Sequence, residues 1–331
     1  MKRRTLLGRL LAAPAAGLAA AGAAHAQDAP DARPDAAGPI PTRPFGKTGE
    51  DLTIIGLAGG RFPLIDRERA IALTRRAVEL GINYFDNAHA YWDGRSEEVY
   101  GEVLPAVRKR VFLTTKSGNR TRQGAAAELE TSLKRLKTDY VDLWQVHGIM
   151  GKDDVEKVFA PGGAIEAFEA AKRAGKCRFI GFTGHHDPAS HLEMLRRYQG
   201  WDSILMPLNA ADPHYLSFEK DVLPEAVKRG LGIQGMKNFA NAKLLQALSV
   251  EDCLRYVLSL PVHCTAVGCT TTGQLEDDAR IARAHRPLEA DALAALRRRA
   301  EGLAGPRLED WKRRDEPVAG RLADLPPYRG G

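Results

Sequence analysis

Eight short β-rich runs alternate with longer helical runs from Leu52 onward, and this alternation restricts the chain to a parallel sheet. The runs are TIIGLA (53–58), YFD (84–86), VFLTTK (111–116), VDLWQVH (141–147), CRFIGFT (177–183), SILMPLN (203–209), GIQGM (232–236) and CTAVG (264–268). Between them lie amphipathic stretches such as RERAIALTRRAVELG, where Ala70, Leu73, Ala77 and Leu80 share one helical face. Gly81, Gly175 and Gly230 follow such stretches, where a left-handed cap is expected. Parallel strands joined through helices cross over right-handedly. Eight such units close into a (β/α)8 TIM barrel, an α/β fold of about 250 residues, which suits the span from Leu52 to Ala304. An open doubly wound sheet usually carries G-x-G-x-x-G after its first strand, and none stands there. PFGKTGEDLTI, before the first run, reads as a β-hairpin turning at Lys47, Thr48 and Gly49, placed to plug the barrel's lower end.

The ends read differently from the barrel (42–304). MKRRTLLGRLLAAPAAGLAAAGAAHAQ has a basic start, a weakly apolar middle and a small-x-small site at Ala24-His25-Ala26. Arg3-Arg4 followed by Thr-Leu-Leu resembles a twin-arginine export signal. Residues 1–26 are therefore expected to be a signal peptide read by the twin-arginine export machinery, giving a periplasmic or otherwise extracytoplasmic protein. The middle is interrupted by Arg9, so no stable membrane anchor is expected. Residues 27–41 read as a flexible linker. The tail (305–331) is rich in Arg, Pro and Gly and is expected to wrap loosely over the surface. The formal net charge is +6, but four of the bases lie in the first 26 residues, which hold no acid. The remaining excess is small, so nucleic-acid binding is not expected. Cys177, Cys253, Cys264 and Cys269 form no C-x-x-C pair and read as buried thiols rather than a metal site.

In a barrel of this kind, chemistry gathers at the C-terminal ends of the strands. Asp86 with Tyr91 follows the second run, Lys116 ends the third and His147 ends the fourth. Each has an ordinary reading alone: helix cap, packing, surface lysine or core histidine. Together they would face one mouth. A phenol has a reference pKa near 10 and is a proton donor at neutral pH. A lysine cation beside it favours the phenolate, and Asp86 can hold that lysine. His147 can hydrogen-bond a substrate oxygen. Delivering a proton to oxygen as hydride reaches carbon is what carbonyl reduction needs. No side chain donates hydride, so a nicotinamide cofactor is implied.

These same residues carry a family resemblance. FDNAHAYWDGRSE is similar to the F-D-T-A-x-x-Y-G-x-G-x-S-E signature of the aldo-keto reductases, and FLTTK to the strand bearing their lysine. DYVDLWQVHG resembles their Y-[IV]-D-L-x-x-x-H block, and GKCRFIGFTGH their G-K-[IV]-R-x-I-G-[VF]-S block. The resemblance spans nearly all of residues 42–285. It implies a TIM barrel, NADPH-dependent carbonyl or sugar chemistry, and Tyr91 as proton donor.

The cofactor contacts depart from that pattern. Where the family commonly holds the carboxamide with Ser, Asn and Gln, this chain has Thr183, Gly184 and Leu205. Thr183 can replace the serine, and Asn209 or His185 is expected to compensate. Met236 stands where an aromatic often stacks on nicotinamide. GMKNFANAKL replaces the usual S-P-L loop, with Lys237 and Asn241 expected at the diphosphate. Gly268 and Gln274 replace the Lys and Arg that often grip a 2′-phosphate, with Thr270, Thr271 or Thr272 as a substitute ligand. Gln274 and Asp277 are expected near the adenine end. The resemblance favours NADP, whereas the missing bases favour NAD.

HGIMGKDDVEKVFAPGGA reads as a long loop after the fourth run. With Trp92 and Trp144 it is expected to line a pocket, Trp144 serving equally well as barrel packing. A second class of function, a nucleotide-binding sensor or partner protein with little turnover, is separable from an enzyme by Tyr91→Phe.

Overall fold

The computed structural model describes residues 38–312. The expected signal peptide (1–26), most of the linker (27–41) and the end of the tail (313–331) lie outside the described residues.

A two-stranded antiparallel hairpin comes first: β1 (Thr42–Pro44) and β2 (Asp51–Thr53). Eight parallel strands follow, each near one of the eight runs. They are β3 (Ile55–Ala58), β4 (Tyr84–Asp86), β5 (Phe112–Ser117), β6 (Val141–Val146), β7 (Cys177–Thr183), β8 (Ser203–Pro207), β9 (Gly232–Met236) and β10 (Cys264–Val267). They pair in chain order, and β10 closes onto β3 to complete the barrel. The three expected cap glycines are all left-handed, with φ of +83° at Gly81, +73° at Gly175 and +67° at Gly230.

Strand alternation divides the core in two. Tyr84, Phe112, Leu143 and Cys264 point inward and meet Phe45 and Leu52 from the hairpin. Phe45 closes the lower end, its ring edge-on to Phe112 with centroids 5.5 Å apart. Phe85, Leu113, Trp144 and Ile180 point outward into the layer under the helices. Trp144 stacks on Phe168 of the helix Ala164–Arg173, with centroids 3.7 Å apart and planes at 8°. Its parity in β6 thus makes it barrel packing and removes it from any pocket. The four cysteines are free and buried.

Two expectations fail, for physical reasons. The segment after β6 is not a loop throughout, since Lys152–Phe159 form a helix that buries Val155 and Val158. Nor is the tail loose where it is described. Leu308, Glu309, Trp311 and Lys312 are all buried. The Lys312 ammonium reaches Asp212 at 2.7 Å and Glu309 at 2.9 Å, with all three side chains at 0% exposure. It also donates to the Tyr215 carbonyl. A buried charge of this kind requires paired partners, so these ion pairs hold the segment in place.

Candidate active site

The strand ends bring Asp86, Tyr91, Lys116 and His147 together. Lys116 is 1% exposed. Its ammonium donates to Asp86 Oδ1 at 2.7 Å and to the Asn87 carbonyl at 2.6 Å. The same ammonium lies 5.0 Å from the centroid of the Tyr91 ring. The His147 and Tyr91 rings meet edge-on with centroids 5.5 Å apart. Tyr91 opens a short 3-10 turn whose next residues, Trp92 and Asp93, have φ of 53° and 54°. That left-handed pair is uncommon for residues with a Cβ and marks a constrained turn.

Burial sets the electrostatics. It lowers the Lys116 ammonium from its ordinary range, while Asp86 acts in the opposite direction. Burial also holds His147 well below the usual imidazole range, with the Lys116 charge adding to the effect. His147 is therefore neutral at pH 7. Its ring has no hydrogen-bond partner among the described residues, which leaves it for an oxygen in the mouth.

Asp86 is itself held from inside the barrel. The Gln145 amide donates to Gln234, Gln234 donates to the Tyr84 hydroxyl at 2.9 Å, and that hydroxyl donates to Asp86 at 3.3 Å. The Thr114 hydroxyl also donates to Asp86. Tyr84 was not singled out in the sequence, where YFD reads as an ordinary apolar strand. The signal was present in its parity with Asp86: residues i and i+2 share the inner face.

The other expected residues divide. Thr183 ends β7 and is 2% exposed, and no described residue bonds its hydroxyl. Such a hydroxyl fits a polar ligand group. Met236 ends β9, and Lys237 follows it in left-handed conformation, φ +59°. Ala240, Asn241 and Ala242 are left-handed too, at +47°, +54° and +68°. The Lys237 ammonium donates to Asn241 Oδ1 at 3.2 Å. Gly268 lies one residue beyond β10, on the same rim.

Asn209 does not offer its amide as expected. Its Oδ1 accepts from the Ala211 and Asp212 backbones and its Nδ2 donates to Glu309 at 3.1 Å. The loop after β8 and the tail use it as a structural brace. Gln274 Oε1 folds back to accept from the Thr270 backbone and hydroxyl, at 2.8 and 3.1 Å. Asp277 is exposed and pairs with Arg280 on its own helix. The pairing keeps Asp277 on that helix's outer face. His185 stays near His147 and Lys237, and burial first, then the Lys237 charge, pushes it down to about 3.

Two residues near the mouth were missed. Trp311 packs its ring 5.1 Å from the Lys237 ammonium. Arg61, directly after β3, donates to the same Asn241 oxygen at 3.4 Å. The strand-end rule that found Lys116 applies equally to Arg61, since GLAGGR places a cation three residues beyond β3.

Comparison with known proteins gives the same picture. A model of the Aldo/keto reductase family matches residues 55–249. The chain belongs to that family. The 6-dehydroglucose reductase of Novosphingobium aromaticivorans is 31% identical over 236 residues, covering 65% of this chain and 74% of that protein. The oxidoreductase YqkF of Bacillus subtilis is 35% identical over 154 residues, covering 43% of this chain and 48% of that protein. The chain spans about half the length of the first curated relatives it matches. An aldo-keto reductase from Klebsiella pneumoniae, solved with NADPH, superposes with a TM-score of 0.65 at 22% identity, covering 78% of this chain and 95% of that one. At that identity the likeness is one of fold.

Proposed function

We propose that this protein is an NAD(P)(H)-dependent oxidoreductase that interconverts carbonyl and alcohol groups of aldehydes, ketones or sugars. The observation that carries the reading is the buried Lys116, bonded to Asp86 at 2.7 Å with its ammonium 5.0 Å from the Tyr91 ring. Burying a lysine is costly, and its bonds to Asp86 and to the Asn87 carbonyl offset that cost while holding the charge beside the Tyr91 ring.

In the reducing direction Tyr91 gives its hydroxyl proton to the carbonyl oxygen. Lys116 stabilises the phenolate left behind. Asp86 fixes Lys116, and the neutral ring of His147 hydrogen-bonds the same substrate oxygen and orients it. A bound nicotinamide dinucleotide supplies the hydride to the carbonyl carbon. The Thr183 hydroxyl fits its carboxamide, and the left-handed loop 237–242 with Lys237 fits its diphosphate. Membership of the Aldo/keto reductase family supports a nucleotide of this class. The expected leader adds a proposal of location: the protein loads its nucleotide before export and works outside the cytoplasm.

The decisive experiment denatures protein taken from the periplasm and identifies any nucleotide released. Near-stoichiometric NADP(H) or NAD(H) supports a preloaded oxidoreductase. An empty protein is then titrated with both nucleotides, and failure to bind either sinks the reading. Tyr91→Phe should abolish carbonyl reduction and keep nucleotide binding.

A further inference from the structure

We propose that a cavity at the closed lower end of the barrel is a second ligand site, which takes a carboxylate with an apolar body, such as a medium-chain fatty acid. The cavity lies away from the mouth that holds Tyr91 and Lys116, and the proposal does not depend on the reductase reading.

The cavity has a volume of about 520 Å³, within the range of small-molecule sites. Leu231 and Ile233 reach it from the start of β9, and Val262 and His263 directly precede β10. Arg43 reaches it from β1. The catalytic residues stand at the opposite ends of their strands. Val227, Leu231, Leu260 and Pro261 give the cavity apolar walls, and Val227, on the helix Leu223–Arg229, keeps 46% of its surface exposed. An apolar body laid against them removes that surface from water.

The polar part of the lining offers donors and no acid. Arg43 donates to the Val262 carbonyl at 2.6 Å and to the Leu258 carbonyl at 2.7 Å. Its other N–H groups bond nothing, and it has no ion pair, among the described residues. No carboxylate lines the cavity. The nearby Cys264 thiol is kept protonated by burial, so it supplies no anion. His263 Nδ1 accepts the Ile233 N–H at 2.8 Å. Burial lowers this ring from the ordinary imidazole range, so at pH 7 it is neutral and its one proton sits on Nε2. That N–H has no partner among the described residues. Lys47 adds a cation at the rim: a Cβ on Gly230, which lines the cavity, would collide with Lys47 Cε and lie 3.1 Å from its ammonium.

The two carbonyl bonds tie Arg43 to the segment before β10 but do not neutralise it. Burial disfavours its charge, and a carboxylate beside it reverses the effect. A carboxylate can accept from the guanidinium and the imidazole N–H together. Inorganic phosphate would satisfy these donors and leave the apolar walls in water. A neutral apolar molecule would cover the walls and leave the charge unmet. A carboxylate on an apolar body answers both.

The test is a calorimetric titration of the full chain with octanoate, with octanamide and inorganic phosphate as comparisons. The expected result is one octanoate bound per chain, octanamide bound at least about tenfold more weakly, and no phosphate bound. Absence of saturable octanoate binding overturns the assignment, as does equal affinity for octanamide or binding of phosphate alone. Arg43→Gln should raise the octanoate Kd about ten- to hundredfold. Val227→Glu, which puts a like charge on the exposed wall, should raise it at least about tenfold. An unchanged Kd in either variant overturns the assignment. Arg43 also ties the hairpin in place, so thermal melting checks its variant. If Arg43→Gln does not fold, Val227→Glu decides by the same criterion. To separate this cavity from the catalytic mouth, His147→Gln is titrated as well. Its Kd for octanoate should match wild type, and a loss there places the ligand in the mouth and overturns the assignment.

Discussion

Lys116 Nζ lies 2.7 Å from Asp86 Oδ1, and neither side chain has more than 4% of its surface exposed. Removing one partner of such a pair leaves the other charge buried alone, which costs about 3–5 kcal/mol. Asp86→Asn and Lys116→Met should each lower stability by that order in urea unfolding. The double variant should be more stable than either single one, because no uncompensated charge remains. All three should lose carbonyl reduction, since the phenolate of Tyr91 then lacks its cation. Additive losses in the double variant would show that the pair is not coupled.

Tyr84 tests how far the site depends on the barrel interior. Its hydroxyl accepts from Gln234 and donates to Asp86. Burial raises it well above the ordinary phenol range, so it remains a neutral donor. Tyr84→Phe leaves the Gln234 donor unsatisfied and should cost about 1–3 kcal/mol of stability. It also frees one contact on Asp86, so kcat should fall while KM and nucleotide affinity hold. A purely structural role would leave kcat unchanged in the molecules that stay folded.

Much of this was legible because it is local. Each barrel strand is a short run between helical stretches, and Asp86, Lys116 and His147 can be found by asking what stands where a run ends. The three cap glycines announce themselves the same way. What the sequence hides is long-range. Arg61 meets Gly268 across 207 positions, and nothing near either residue signals the other. Lys312 finds Asp212 at a separation of 100, so an Arg- and Pro-rich tail reads as loose until its charge has a buried partner. Asn209 looked available to a ligand because a free amide and one bracing two loops have the same letter. Trp144 was ambiguous only until strand parity put it on the outer face.

The tail gives a third prediction. Lys312→Met leaves Asp212 and Glu309 as two buried carboxylates with no cation between them. Burial already pushes Glu309 up to about 7, so it is the one that takes a proton. The segment Gly305–Lys312 should detach from the loop after β8 at a cost of about 3–5 kcal/mol. Trypsin should then cut after Arg307 much faster than in wild type, while the barrel fragment stays resistant. Equal cleavage rates would mean that Lys312 does not hold the segment.

Asp278 makes the last prediction, on pH. It is 4% exposed, accepts a hydrogen bond from the Cys269 thiol at 3.4 Å, and is pushed by burial from 3.8 up to about 7. The folded state therefore binds this proton more tightly than the unfolded state does. The stability it contributes is fully present below about pH 4 and is lost as pH rises through about 7. At 1.36 kcal/mol per pKa unit, the full loss is on the order of 4 kcal/mol, an upper bound. Other groups titrate in the same window: burial lowers His191 and His285 to about 4, and they act in the opposite sense. The comparison must therefore be between wild type and Asp278→Asn. Asparagine cannot ionise, so the variant should gain stability relative to wild type between pH 4 and 7 and hold that gain above it. Urea midpoints measured from pH 4 to 8 read this difference. A gap that stays flat across the range would mean that Asp278 is already ionised throughout.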